Sequence, residues 1–562
     1  MKFLCALCLL GGSILSAAAI DRNAFTFTNY ALNIRIEPEQ QRLAAEGTIA
    51  LRNDSGAPQK DVSLQISSGL GWRAIRLDGK PVQFLTQTYT SDIDHTGALS
   101  EAIVSLPGAV APGGTVTLQI RYEGVISQDV TRLTRIGVPQ DQAKHSDWDQ
   151  ISERFTALRG VGYVAWYPVA MDAVTLSEGN SVFEALGRWK MREAQATMKL
   201  KLADLWEGAS TAPLCNGAGA RVPNEVATDC TYSPLGMTVP VLVIGDYKGV
   251  DRPAINVSYL AGHEAGAQSY STAAEKVVSF VRGWFGAPRT RAEVVDLPDS
   301  QAAPFESGTM LLTSLDAVDP KLAEVTAVHQ LTHAAFVSNR EWIYEGLAHF
   351  AQAAYVESVS GRRAALDSMA PHREAIVAAE KSLLANPDAS ANESLINTSS
   401  EEFYRSKAMF VWWMLRDMVG EPALKRALGA YRPEEDKSPA YMQKLIEAQS
   451  HRDLEWFFDD WVYRDRGLPD FAVKSVYSRK MLPGGYMVTV TIEDLGAAGA
   501  EVPVVVHFAD GERMKRLQVP GKGEGSFRFE LPSLPGKITV NDGSVPESDM
   551  SNNEYRVATS EQ

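Results

Sequence analysis

His329 and His333 stand four residues apart in the run HQLTH, and Glu345 follows in EWIYEGLAHF at 341–350. On a helix, side chains at i and i+4 leave the same face with Cβ atoms about 5–6 Å apart, so both imidazoles reach one point. Imidazole and carboxylate are zinc ligands, and three protein ligands leave a tetrahedral ion one open position. Asn339 and Arg340 mark a turn, which places Glu345 on the next helix as the third ligand. The pattern therefore predicts zinc held by His329, His333 and Glu345. A His-x-x-x-His pair alone is a weak signal; W-x-x-E-G-x-A close behind it makes the pattern specific. Glu341 and His349 are spare ligand types nearby and read as supporting or surface residues.

This segment resembles the zincin motif H-E-x-x-H followed by W-L-x-E-G-x-A. That is the gluzincin pattern of the aminopeptidase N-like, or membrane alanyl aminopeptidase, family. Gly162-Tyr163-Val164-Ala165-Trp166-Tyr167-Pro168, Val243-Ile244-Gly245-Asp246-Tyr247, and Phe457-Phe458-Asp459-Asp460-Trp461 through Gly467-Leu468-Pro469 are similar to further family segments, in the family's order. The resemblance implies a multidomain α+β protein with an N-terminal antiparallel β domain, a thermolysin-like, mainly helical zinc domain and a C-terminal β-sandwich. It also implies a zinc metallopeptidase, aminopeptidase-like, acting on peptide or protein substrates.

The chain departs from the family at several points. The gap between His333 and Glu345 is shorter than in typical aminopeptidases. The family's G-x-M-E-N motif, which binds the substrate's α-amine, has Pro304-Phe305-Glu306-Ser307-Gly308 as its nearest counterpart, so Glu306 is the candidate amine-binding residue. Gln330 occupies the general-base position. Glutamine matches glutamate in size but accepts no proton at neutral pH. A positioned general base contributes about 10²–10⁴-fold, so the resemblance implies weakened hydrolysis with zinc binding intact. The family's oxyanion-donating tyrosine precedes a K-G pair; Tyr404-Arg405-Ser406-Lys407-Ala408 is similar, with one extra residue, which makes Tyr404 the candidate. Two other readings compete: a catalytically inactive pseudopeptidase binding zinc and peptides as a scaffold, and a structural protein whose histidine pair is incidental.

The elements that must position these residues are legible in outline. With 562 residues the chain is too long for one core. Its net charge of −15 disfavours nucleic-acid or anionic-membrane partners. Met1-Lys2, the apolar run Phe3 to Leu15 and Ser16-Ala17-Ala18-Ala19 read as a signal peptide over residues 1–19, with the mature chain starting near Ile20 or Asp21. The expected destination is periplasmic or extracellular, with no transmembrane anchor after cleavage. Cys215 and Cys230 are the two cysteines left after cleavage and are expected to pair.

Alternation at Leu32, Ile34 and Ile36, and again at Val116, Leu118, Ile120 and Tyr122, predicts a β domain over 20–249. A 3.6-residue period then sets in with Ala274, Val277, Val278, Val281, Trp284 and Phe285, and helices dominate 250–466. Asp319 and Pro320 mark the N-cap and first position of the histidine helix. Alternation returns at Tyr486, Val488, Val490 and Ile492, which predicts an Ig-like β-sandwich over 467–562.

Overall fold

The structure, a computed structural model, describes residues 20–178, 181–206, 212–385 and 394–557. The signal peptide expected over 1–19 lies outside the described residues. The architecture is multidomain α+β: β-sheets first, then a helical middle, then a β-sandwich.

In the N-terminal part the strand Phe25–Glu37 pairs antiparallel with Arg42–Asn53, which pairs in turn with Thr115–Val125. Tyr30, Leu32, Ile34 and Ile36 are buried as their alternation predicts. The other edge of Phe25–Glu37 departs from the expected antiparallel pattern. It runs parallel to Thr197–Asp204, with Leu32 opposite Leu200. A parallel neighbour needs a long crossover, and that crossover contains a helix, Ser181–Glu193, whose buried Trp189 belongs to the same core.

The helical middle also contains a five-stranded sheet that the sequence reading missed. Its strands lie in the order Lys248–Asp251, Ile255–Tyr259, Ala292–Asp296, Met310–Thr313 and Phe305–Ser307. Each is five residues or fewer, too short for period alone to separate strand from helix. The first of them spans residue 249, where the sequence reading had placed a domain boundary. Helices Glu264–Phe285, Pro320–Ala335, Glu341–Ser360, Arg362–Ala385 and Ala408–Val419 pack against this sheet and one another. Arg362–Ala385 is a further helix not anticipated from sequence, and it holds Pro371 within its length. The Asp319 carboxylate accepts from the backbone N–H groups of Lys321 and Leu322, the N-cap that the sequence predicts.

The last helix of the set departs in an informative way. Residues Glu402–Lys407 form a π-helical turn that runs into Ala408–Val419. A π-turn is how a helix absorbs one extra residue without losing register on either side. The extra residue noted before Lys407 is therefore taken up here.

Beyond residue 470, a three-stranded sheet (Phe471–Lys480, Tyr486–Asp494, Glu524–Leu531) faces a four-stranded one (Ala500–Phe508, Gly511–Val519, Pro535–Val540, Glu554–Arg556). Val488, Val490 and Ile492 from one sheet and Val502, Val504 and Val506 from the other are fully buried in one shared core.

Lys407 joins the π-turn to its surroundings. Its fully buried ammonium donates to Glu380 of the Arg362–Ala385 helix and to Asp465 in the segment leading to the sandwich. Removing one partner of such a buried pair leaves uncompensated charge. Lys407→Ala is therefore expected to cost about 3–5 kcal/mol, measured as a lowered urea midpoint of the protein.

Candidate metal centre

The histidine helix, Pro320–Ala335, is buried on nearly all sides in its second half, from Ala327 to Ala335. It packs between Glu264–Phe285 and the glutamate helix, Glu341–Ser360. The Nε2 atoms of His329 and His333 lie 3.0 Å apart. The glutamate helix is set by two contacts that explain its W-x-x-E-G sequence. Trp342 stacks on Trp412 with ring centroids 5.2 Å apart, and the Trp412 indole donates to the Trp342 carbonyl. At Gly346 a Cβ would come within 2.6 Å of the Ala408 Cβ, so only glycine lets the two helices approach this closely.

That approach brings the Glu345 carboxylate to 3.8 Å from His329 Nε2 and 3.6 Å from His333 Nε2. Tetrahedral zinc with bonds of about 2.0–2.1 Å has donor–donor edges of about 3.3 Å. The three separations bracket that value, so the donor set fits a zinc ion. His333 lies in the last helical turn, where the helix dipole favours a cation.

The electrostatics favour the ligand forms. Burial pushes His333 down to about 3, which keeps its imidazole neutral. Burial alone would raise Glu345, but Arg405, His333 and His329 together hold it below the usual carboxylate range. The Arg405 Nε is 3.4 Å from Glu345, and its Nη1 is 2.9 Å from Glu401.

Glu306 sits on the edge strand Phe305–Ser307, with Oε2 3.7 Å from His329 Nε2. Its Oε1 is buried with no hydrogen-bond partner among the described residues. Burial pushes its carboxyl up to about 7. The strand is clamped from the N-terminal part of the chain. The Ser307 hydroxyl donates to the Val239 carbonyl at 2.8 Å, and the Asn216 amide donates to the Ser307 carbonyl at 3.2 Å. Asn216 follows Cys215, which is disulfide-bonded to Cys230.

Tyr404 stands on the π-turn, buried, and its hydroxyl donates to Glu401 at 3.2 Å. Burial pushes this phenol well above its ordinary value, so it stays protonated. Gln330 is fully buried, and its Oε1 accepts from the Tyr270 hydroxyl at 2.7 Å.

A cavity of about 820 Å³ adjoins the donors, and Gln330 is not among the residues that line it. Glu306, His329, His333, Glu345 and Tyr404 line it from the middle of the chain, and Arg159 and Tyr163 from the N-terminal part. Tyr163 belongs to the tyrosine-proline stretch singled out from sequence; Trp166 and Tyr167 of that stretch are core.

Four residues near the donors escaped the sequence reading: Tyr270, Tyr344, Arg405 and Lys190. Tyr344 stacks on His333 at 3.9 Å. Lys190, on the Ser181–Glu193 helix, pairs with Glu341 at 3.2 Å, so Glu341 links two parts of the chain and is not a surface residue. Only Arg405 had a signal in the sequence, the extra residue before Lys407.

The fold is similar to that of solved M1 zinc metallopeptidases. The M1 zinc metallopeptidase from Deinococcus radiodurans aligns with a TM-score of 0.51 at 16% identity, over 79% of this chain and 95% of that one. A mutant of that enzyme bound to a Tyr-Ser-Ala substrate aligns equally well, over 80% and 96%. Aminopeptidase A from Legionella pneumophila, in complex with aspartic acid, aligns with a TM-score of 0.60 at 12% identity over 93% of this chain. The alignment spans 59% of that longer protein. No protein-family model matches the chain, and no curated protein matches it.

Purified without chelator, the protein is expected to hold about one zinc, as a three-donor site predicts. His333→Ala should abolish it, as read by elemental analysis of the folded variant.

Proposed function

We propose that the chain is an exported, zinc-dependent, aminopeptidase-like protein that takes peptides into the cavity and hydrolyses them weakly. The observation that carries this reading is the convergence of His329, His333 and Glu345, 3.0 to 3.8 Å apart, on the wall of a cavity of about 820 Å³. A zinc ion held there would supply Lewis-acid polarisation of a carbonyl and a lowered water pKa.

The remaining roles fall to the chain's own side chains. Glu306, beside His329 and with one oxygen unpartnered, offers the acceptor for a peptide's α-ammonium. Tyr404 is a protonated donor on the cavity wall; to serve an oxyanion its hydroxyl must turn away from Glu401. Gln330 is the weak point, because an amide in the general-base position takes up no proton. Export rests on the apolar segment after Met1-Lys2 and its small-residue end. Among the described residues no helix is long and apolar enough to cross a membrane.

A second reading, a pseudopeptidase that binds zinc and peptides without cleaving them, is favoured by one specific contact. The Gln330 carbonyl oxygen is tied to Tyr270 in a fully buried setting, an arrangement in which the amide serves packing.

Gln330→Glu separates the two. The new carboxylate retains an acceptor for Tyr270 and puts a proton acceptor at the residue directly after His329. Peptide hydrolysis is expected to rise by at least about 10²-fold, the low end of a general base's contribution, in an assay on a library of free-amine peptides. No hydrolysis by either protein, with zinc bound to both, decides for the pseudopeptidase. Fast hydrolysis by the native chain, unchanged in the variant, refutes the role given to Gln330.

A further inference from the structure

The three donors anticipated from sequence are not the only ligand-type side chains at this centre. His349 stands one turn after Glu345 on the same helix, and its Nε2 is 4.0 Å from Glu345 Oε2. Its ring packs edge-on against His329 with centroids 4.9 Å apart. Donor atoms of His329, Glu345 and His349 all lie within 4.8 Å of one another. The side chain is 18% exposed and lines the cavity. Among the described residues it makes no hydrogen bond of its own, although some nearby polar groups are paired. His372, for example, bonds the Ser406 hydroxyl at 2.8 Å while its ring stands 5.5 Å from that of His349. An imidazole on the cavity wall with no hydrogen bond of its own, its Nε2 4.0 Å from one donor and its ring against another, has coordination as an available interaction.

We propose that His349 is a fourth protein ligand, so that the resting centre is His329, His333, Glu345 and His349. This rests on the zinc-centre reading above. Structural zinc sites have four protein donors, whereas catalytic ones keep a position open. A fourth donor on the cavity side closes that position, in a chain that also carries an amide where the general base belongs. Glu306 is the competing fourth donor, within 4.8 Å of His329 and His333. It is a carboxylate, so the number of bound imidazoles tells the two apart.

The test uses the mature chain loaded with zinc or cobalt(II). X-ray absorption of the zinc form is expected to count three imidazoles in the native protein and in Glu306→Gln, and two in His349→Ala. Competition with a chromogenic chelator should show zinc affinity falling at least about tenfold in His349→Ala, in line with the effect of losing a positioned metal-site partner. His349→Cys loaded with cobalt(II) gives a positive readout that survives moderate destabilisation. A thiolate in the ligand set produces a sulfur-to-cobalt charge-transfer band absent from the native protein. Two imidazoles in the native protein, unchanged affinity in His349→Ala and no such band in His349→Cys overturn the proposal while leaving the three-donor centre intact. No zinc on the native chain overturns both.

Discussion

Three ligand-type side chains are held 3.0 to 3.8 Å apart in a largely buried setting, and the desolvation of that cluster is the constraint the surrounding structure answers. Burying a carboxylate and two imidazoles is unfavourable unless each finds a partner. The backbone must therefore deliver them to one point and hold them there. Two helices do this, and neither is positioned by the donors themselves. The glutamate helix is fixed by the Trp342–Trp412 stack and by the close passage of Gly346 over Ala408. The histidine helix is started by its Asp319 cap and enclosed through its second half.

Charge is balanced in a ring around the cluster. Arg405 stands against Glu345 and is itself paired with Glu401, while Lys190 reaches across from the N-terminal part of the chain to Glu341. Buried ion pairs of this kind add little net stability against an apolar alternative but are costly to break singly. Their effect is to restrict where Glu345 can go. The same π-turn that presents Arg405 and Tyr404 to the cavity is anchored behind by Lys407 between Glu380 and Asp465. A single inserted residue thus puts a guanidinium beside the donor set without disturbing the helix that follows.

The cavity belongs to no single part of the chain. Its edge strand, bearing Glu306, is clamped through Ser307 to Val239 and Asn216, next to the Cys215–Cys230 bridge. An edge strand has free backbone groups, and here part of that edge is satisfied by the N-terminal region. The position of Glu306 relative to His329 is consequently a property of two regions packed together.

Glu345, on the helix after the histidines, was legible only from the W-x-x-E-G-x-A pattern around it. The His329–His333 pair was legible because helical periodicity is local: a spacing of four fixes a shared face whatever the rest of the chain does. The same holds for the Asp319 cap and for the alternation of Leu32, Ile34 and Ile36, and the order of β, helical and β regions followed from period alone. The parallel pairing of Phe25–Glu37 with Thr197–Asp204 was not legible, nor was the five-stranded sheet carrying Glu306. Strand partners are chosen across long stretches of chain, and strands of a few residues leave no period to read. Lys190 and Tyr270 bear on the site from two separate helices, so no spacing announces them. His349 is the sharpest instance. Its place one turn beyond Glu345 was visible in the sequence, but whether that face met solvent or the donors was decided by the packing of the glutamate helix against its neighbours, because a helix has a period of its own but no preferred direction until something packs against it.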